Sequence, residues 1–237
     1  IAPYKRDPMD FVLWKPSTSE LPGWESPWGR GRPGWHIECS AMAESHLGDT
    51  FDIHGGGLEN IFPHNECEIA QSEALSGQPF ANYWLHAGSL TVDGVKMSKS
   101  LGNSVTIQQA LQQYQPEVLR FLILSSHYRS PFDYSEDALA AAARGWERLI
   151  APTLAVQRAM RQPEGNNNSA VDFSDRLEKA RADFSTAMND DFNAPGALAV
   201  LFDFAKQVNA LLAEHTRLDD DTLHAITNLY QELAGDV

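Results

Sequence analysis

Apolar residues recur along the chain with two different periods, and the change of period divides it. From about residue 115 onward the spacing is helical. "EDALAAAARGWERLIAPTLAVQRAMRQ" is one long amphipathic helix. The stretch from 171 carries Leu177, Phe184, Met188, Leu198, Leu201, Phe202, Ala205, Val208 and Leu212 at helical intervals. This predicts an all-α bundle, and the polar "PEGNNNSA" at 163–170 predicts a flexible linker within it. Ahead of 115 the runs are shorter. "GWHIECSAMAESHLG" predicts a helix over 34–48 with Ile37, Ala41 and Met42 among its apolar positions and Gly48 as its stop. "TFDIHGGG" predicts a short buried strand running into a glycine-rich turn. A helix over about 63–76 follows, with Pro63 early and Gly77 after its end. "NYWLHAGSLTVDGVKM" reads as a strand and a hairpin turned at Asp93-Gly94, and two helical segments follow, the second starting near Pro116. Residues 1–33, rich in Trp, Pro and Gly, read as loops and short strands. Strand, glycine turn, helix, strand is the pattern of an α/β unit with a parallel sheet.

Composition narrows the class. The chain has 237 residues, 43% hydrophobic and 21% charged, as in ordinary globular proteins. No run of about 18 apolar residues suggests a membrane span. The N-terminus has neither the apolar core of a signal peptide nor a Met, so residue 1 reads as the start of a piece of a longer protein. Two cysteines exclude a disulfide scaffold and point to a reducing, cytoplasmic setting. The net charge of −14 argues against nucleic-acid binding by the whole surface and leaves room for a local basic strip.

Several residue groups carry candidate chemistry. His64 and Glu68 stand four apart, so on one helix they share a face. With a thiolate from Cys39 they form a sulfur, nitrogen and carboxylate set that suits Zn2+; a helix-surface pair beside a partly buried cysteine has the same spacing. Gly55, Gly56 and Gly57 let a ligand approach the backbone closely, or make a tight turn. Glu59 could accept hydrogen bonds from ribose hydroxyls, or meet a helix macrodipole. "KMSKS" at 96–100 presents Lys96 and Lys99, two compact charges able to stabilise a transferring phosphoryl or nucleotidyl group, or a solvated hairpin exit. Trp35, His36, His54 and His86 carry no such signal singly.

Taken together these segments are more specific. KMSKS followed by Leu101-Gly102-Asn103 resembles the class I aminoacyl-tRNA synthetases. "GWHIECSAM", "FDIHGGG", "FPHNECEIAQS", "KRDPMDFVLWK", "HYRSPFDYSEDAL" and "MNDDFNAPGAL" resemble the cysteinyl-tRNA synthetase family in particular, in order and over nearly the whole chain. The resemblance implies ATP-dependent activation of cysteine and its transfer to the 3′ end of tRNA(Cys), with Mg2+ accompanying ATP. It implies that Cys39, His64 and Glu68 hold a zinc ion that takes the substrate thiolate, and that Trp35 lies near the amino-acid pocket. Lys96 and Lys99 would belong to the loop that closes over ATP, with Lys99 nearer the phosphates, and Gly55, Gly56, Gly57 and Glu59 would meet adenosine.

The implied architecture is the second half of a class I Rossmann-like catalytic domain, α/β, followed by an all-α helical bundle. Its parts are the end of a connective insertion (1–33), a catalytic half with the zinc site and KMSKS loop (34–115), a helical stem-contact region (116–162), the linker (163–170) and a partial anticodon-stem-binding domain (171–237). Arg120, Arg129, Arg144 and Arg148 are candidate phosphate contacts. Three departures stand out. The family's HIGH-type motif and a further zinc-ligand cysteine are not in these residues, which implies an inactive chain when isolated. His64-Asn65-Glu66-Cys67-Glu68 replaces the family's His-His-Glu-Asn-Glu, with Cys67 a bystander. Glu59 stands where the family has Asp. A monomer without membrane contact is expected. Two other functions share these motifs: ligation of cysteine to an amino-sugar, and a non-catalytic tRNA- or zinc-binding paralogue.

Overall fold

The structure, a computed structural model, describes residues 5–161, 171–215 and 218–235, with Lys99 described by its backbone. The linker expected at 163–170 lies outside the described residues. Backbone contacts divide the chain into two compact units, Ile1–Gly88 and Ser89–Val237.

The first unit opens with two short antiparallel strands, β1 (Trp14–Pro16) and β2 (Gly31–Pro33). Helix α1 (Ile37–Leu47) ends at Gly48 as expected, at a φ of 88° that a side chain would resist. Strand β3 (Phe51–Gly57), helix α2 (Glu66–Ser76) and strand β4 (Ala81–Ala87) then form a parallel βαβ unit. Two expectations need correction here. The glycines are not a turn: Gly55, Gly56 and Gly57 stay in β3 and pair with Leu85, His86 and Ala87. Nor is β3 buried, since Ile53 and its cross-strand partner Tyr83 are 54% and 68% exposed. A two-stranded sheet cannot cover both of its own faces. Helix α2 also begins later than Pro63: Ile61–Asn65 form a wider turn, and Phe62 is extended within it. Phe80, beneath the sheet, is fully buried and meets Phe51 edge-on at 4.9 Å between ring centres.

In the second unit β5 (Leu90–Val92) and β6 (Val95–Lys96) make the expected hairpin at Asp93-Gly94, whose φ values of 50° and 76° fit a two-residue primed turn. The bundle is not wholly α. Residues Phe132–Tyr134 form a third strand, β7, parallel to β5, so the sheet order is β6-β5-β7. Helix α3 (Ile107–Leu111) starts with a Thr106/Gln109 capping box, and α4 (Pro116–Leu124) with proline at its first position. The long α5 (Glu136–Met160) is capped by Ser135 and keeps Pro152 buried inside it. Helices α6 (Ser174–Asn189), α7 (Ala194–Glu214) and α8 (Asp220–Ala234) complete the bundle. By length and composition α7 could cross a membrane, yet its apolar stripe is buried: Leu201, Phe204, Val208 and Leu211 lie in the two clusters that form this unit's core, and Ala205 is buried beside them on the same helix.

Two of the four candidate phosphate contacts, Arg129 and Arg148, have partners within the protein. Arg129 grips Asp191, at the α6–α7 turn, through two guanidinium nitrogens, and the Tyr128 hydroxyl donates to the same carboxylate at 2.7 Å. Arg148 lies over the Phe202 ring. Held first by Arg129 and then by Tyr128, the Asp191 carboxyl is pushed down from 3.8 to about 2. A carboxyl depressed in the folded state favours folding at full strength above its ordinary value, and the contribution fades as pH falls toward the folded value. Stability should therefore drop as pH falls from about 4 to 2, and Asp191→Asn should flatten that part of the profile; urea midpoints across the range test it.

Candidate functional site

The first unit buries few apolar groups. Among its described residues Phe80 and Cys67 are the buried apolar side chains, whereas Ser40, Asn65 and Glu68 are buried and polar. The cluster is built around Glu68, which α2 turns inward and which is 1% exposed. A buried carboxylate is costly unless donors surround it. Asn65 Nδ2 donates to its Oε2 at 2.9 Å, His54 Nε2 from β3 lies 3.2 Å from the same oxygen, and His64 Nε2 stands 3.7 Å from Oε1. Asn65 Oδ1 in turn meets His86 Nε2 of β4 at 3.1 Å. The Trp84 ring stacks on His54 and lies parallel to His86. On the other side, His36 Nδ1 meets His64 Nδ1 at 2.8 Å, so one ring must donate and the other accept.

Cys39, one turn into α1, completes the group: its sulfur, a His64 nitrogen and a Glu68 oxygen all lie within 4.8 Å of one another. Cys39 is exposed as a residue, yet its thiol is held above the usual range, first by desolvation and then by the Glu68 and Glu38 carboxylates. His36 is pushed down by desolvation and by His64. Both shifts favour neutral groups, and a divalent cation among the three donors would reverse the balance for the thiol. Thiol, imidazole and buried carboxylate at this spacing fit a zinc ion chemically. Cys67, though one residue from Glu68, is buried and outside this group.

The other expected site residues are scattered. Trp35, just before α1, is 78% exposed. Along β3 a Cβ at Gly55 would meet open space, and one at Gly56 only ordinary contacts, so the packing of this chain does not itself demand glycine there. At Gly57 an added Cβ would strike the Glu59 carboxylate at 2.7 Å, so Glu59 folds back over the strand end. Lys96 ends the β5–β6 hairpin and Lys99 begins a short 3-10 turn, Lys99–Leu101. Asn103 clasps this segment: its Oδ1 accepts from Ser98 N–H at 2.9 Å and its Nδ2 donates to the Lys96 carbonyl at 3.2 Å. Sequence reasoning missed Asn65 and Asn103. An amide beside a helix start or after a glycine reads as turn chemistry, and only the fold shows what each one binds.

With this geometry in view, comparison with known proteins is direct. The family model for the tRNA synthetase class I (C) catalytic domain matches residues 1–144, and that for the DALR domain matches 183–237. The chain belongs to the class I (C) tRNA synthetase catalytic-domain family. Curated relatives bear the name cysteine–tRNA ligase. One from Azotobacter vinelandii is 55% identical over 234 residues, covering 98% of this chain and 46% of that protein. One from Geotalea daltonii is 49% identical over 240 residues, covering 97% and 49%. The chain thus spans about half the length of the curated relatives it matches. Solved structures share the fold at low identity. The LeuRS of Agrobacterium radiobacter, in a ternary complex with tRNA and LeuAMS, gives a TM-score of 0.63 at 16% identity over 89% of this chain and 31% of that one. The Mycobacterium tuberculosis methionyl-tRNA synthetase, with methionyl-adenylate, gives 0.52 at 18% over 76% and 38%.

The Asn65 bridge has a measurable weight. Asn65→Ala leaves the Glu68 carboxylate one donor short and His86 without its acceptor. The expected loss is about 1–3 kcal/mol, read from urea unfolding of the first unit.

Proposed function

We propose that these residues serve a cysteine–tRNA ligase, which activates cysteine with ATP and Mg2+ and passes it to tRNA(Cys). The observation that carries this reading is the Cys39, His64 and Glu68 donor set in a chain of this family whose curated relatives bear that name. Those names give no support to the amino-sugar ligase or to the non-catalytic paralogue.

In this reading Cys39, His64 and Glu68 hold zinc. Zinc supplies a preference for thiolate sulfur over a neutral hydroxyl, a distinction that pocket shape alone makes poorly between cysteine and serine. Glu68 is oriented by Asn65 and His54, and His64 by His36, so the ligands are held before any substrate arrives. Trp35 borders the amino-acid pocket. Adenosine lies along Gly55, Gly56 and Gly57, where bare backbone permits close approach, with Glu59 near the ribose. Lys96 and Lys99 provide mobile positive charge for the polyphosphate, in a step that needs positioning and charge stabilisation rather than a protein nucleophile. Residues 34–115 then form the catalytic part, and the regions 116–162 and 171–237 serve the tRNA. The setting is the cytoplasm, and the working form a monomer.

Two experiments test the reading. Elemental analysis of the purified chain should find about one zinc per chain, lost in Cys39→Ser and on dialysis against a chelator. Unchanged zinc in Cys39→Ser would overturn the ligand set. In the full-length protein that carries these residues, Gly55→Ala should melt at or above the parent's temperature, a gain of about 0.4–1 kcal/mol. Its KM for ATP in cysteine-dependent pyrophosphate exchange should nevertheless rise several-fold. An unchanged KM would remove adenosine from that strand.

A further inference from the structure

The KMSKS segment leaves the sheet at the end of a very short hairpin. Strand β6 has only two residues, Val95 and Lys96, and its partner β5 has three. Two ladder pairs, Thr91 with Lys96 and Val92 with Val95, and one bond beyond them, from Met97 N–H to the Leu90 carbonyl at 3.0 Å, are a short hold on a segment expected to carry charge to a defined place. The third strand, β7, supplies the rest. It pairs with β5 on the side away from β6, placing Asp133 directly opposite Thr91.

One oxygen of Asp133 makes both anchoring contacts. Its Oδ1 accepts from the Thr91 hydroxyl at 2.6 Å and from the Gly94 backbone N–H at 2.8 Å. Gly94 is the second residue of the turn, at a φ of 76°. In a two-residue hairpin turn this N–H points out of the ladder and has no strand partner. The Asp133 carboxylate reaches across β5 and holds it. Both contacts favour the ionised form, and the Asp133 carboxyl lies below its ordinary range because of the Thr91 hydroxyl first and Gly94 second. A further bond from Asp93 N–H to the Tyr134 carbonyl, 3.4 Å, ties the turn to the same strand. In this register Asp133, Thr91 and Lys96 form one row across the three strands.

We propose that Asp133 is a positioning residue for the ATP-dependent step: its carboxylate pins the Asp93-Gly94 turn and β5 to β7, and so fixes where Lys96 leaves the sheet. The proposal rests on the reading that the KMSKS segment serves ATP. Motion of that segment then hinges beyond Lys96, at the Asn103 clasp, while the hairpin stays still. Without the pin the turn keeps the long Asp93 N–H bond to the Tyr134 carbonyl and the short β5–β6 pairing, a looser hold, and the lysine is delivered to a wider range of positions. A misplacement of about 1 Å in a positioned group can lower a rate a hundredfold. Asp133 touches no substrate in this scheme, and its effect reaches the reaction through the hairpin alone.

The test uses the full-length protein in pyrophosphate exchange, with ATP and cysteine varied separately. Asp133→Ala should lower kcat/KM for ATP by about tenfold or more and leave the KM for cysteine within about twofold of the parent. Asp133→Asn keeps a carbonyl oxygen able to accept both bonds, and should recover most of the loss. Lys96→Ala serves as the control. If Lys96→Ala impairs ATP use and Asp133→Ala does not, the positioning role fails while the reading of KMSKS stands. If neither impairs it, both fail. A fall in ATP and cysteine parameters together with the melting temperature in Asp133→Ala, unrelieved in Asp133→Asn, would also overturn the proposal, since that is the pattern of a general folding defect.

Discussion

The buried carboxylate of Glu68 is the constraint around which the first unit is arranged. At 1% exposure it has lost its water, and everything nearby is placed to compensate. The wide turn at Ile61–Asn65 brings His64 and Asn65 to it, β3 contributes His54, and β4 contributes His86 through Asn65. The βαβ unit can therefore be understood from its interior outward. Both parallel strands contribute: His54 of β3 reaches Glu68 directly, and His86 of β4 reaches it through Asn65.

The second unit is held together by other means. Five of its six described helices begin at side-chain caps or at proline: Thr106, Ser135, Asn193 and Asp219 each accept from a first-turn N–H, and Pro116 opens α4; α6, after Phe173, has neither. Among the described residues its interior is mostly apolar, with Leu139, Val156, Val208, Leu223 and Ile226 fully buried and Thr222 and the Tyr230 hydroxyl the polar groups within it. The small sheet β6-β5-β7 carries the charged segment at its edge, so rigid packing and a functional loop meet within a few residues.

Much of this was legible in the sequence, and the failures are instructive. Helices α1, α4, α5, α6 and α7 and the Asp93-Gly94 turn follow from period, caps and glycine chemistry, all local signals. The Cys39, His64 and Glu68 group was nameable from the family resemblance, the i, i+4 spacing of His64 and Glu68 being a weak signal alone, and only the fold could bring Cys39 of α1 to them. The glycines of β3 were misread because glycine usually punctuates, and nothing local reveals that Gly55–Gly57 will find a partner strand thirty residues on. Strand β7 is three residues long, too short to show a period, and exists because β5 offers it an edge. Helix α8 has a clear apolar stripe that the reading passed over. Asn65 and Asn103 bind groups that sequence places several residues away, and their amides announce neither.

The unequal interiors of the two units bear on calorimetry. Heat-capacity change on unfolding comes chiefly from apolar surface newly wetted, and exposed polar surface subtracts from it. A unit whose centre is a carboxylate, an amide and several imidazoles has little of the first and much of the second. Its thermal transition would be broad, with a shallow stability curve, while the helical unit melts sharply. Any ion gathered by Cys39, His64 and Glu68 in the folded form alone would then stabilise the first unit by mass action. The two transitions would separate or merge with the concentration of that ion, so the apparent cooperativity of the whole chain is a property of the buffer as much as of the polypeptide.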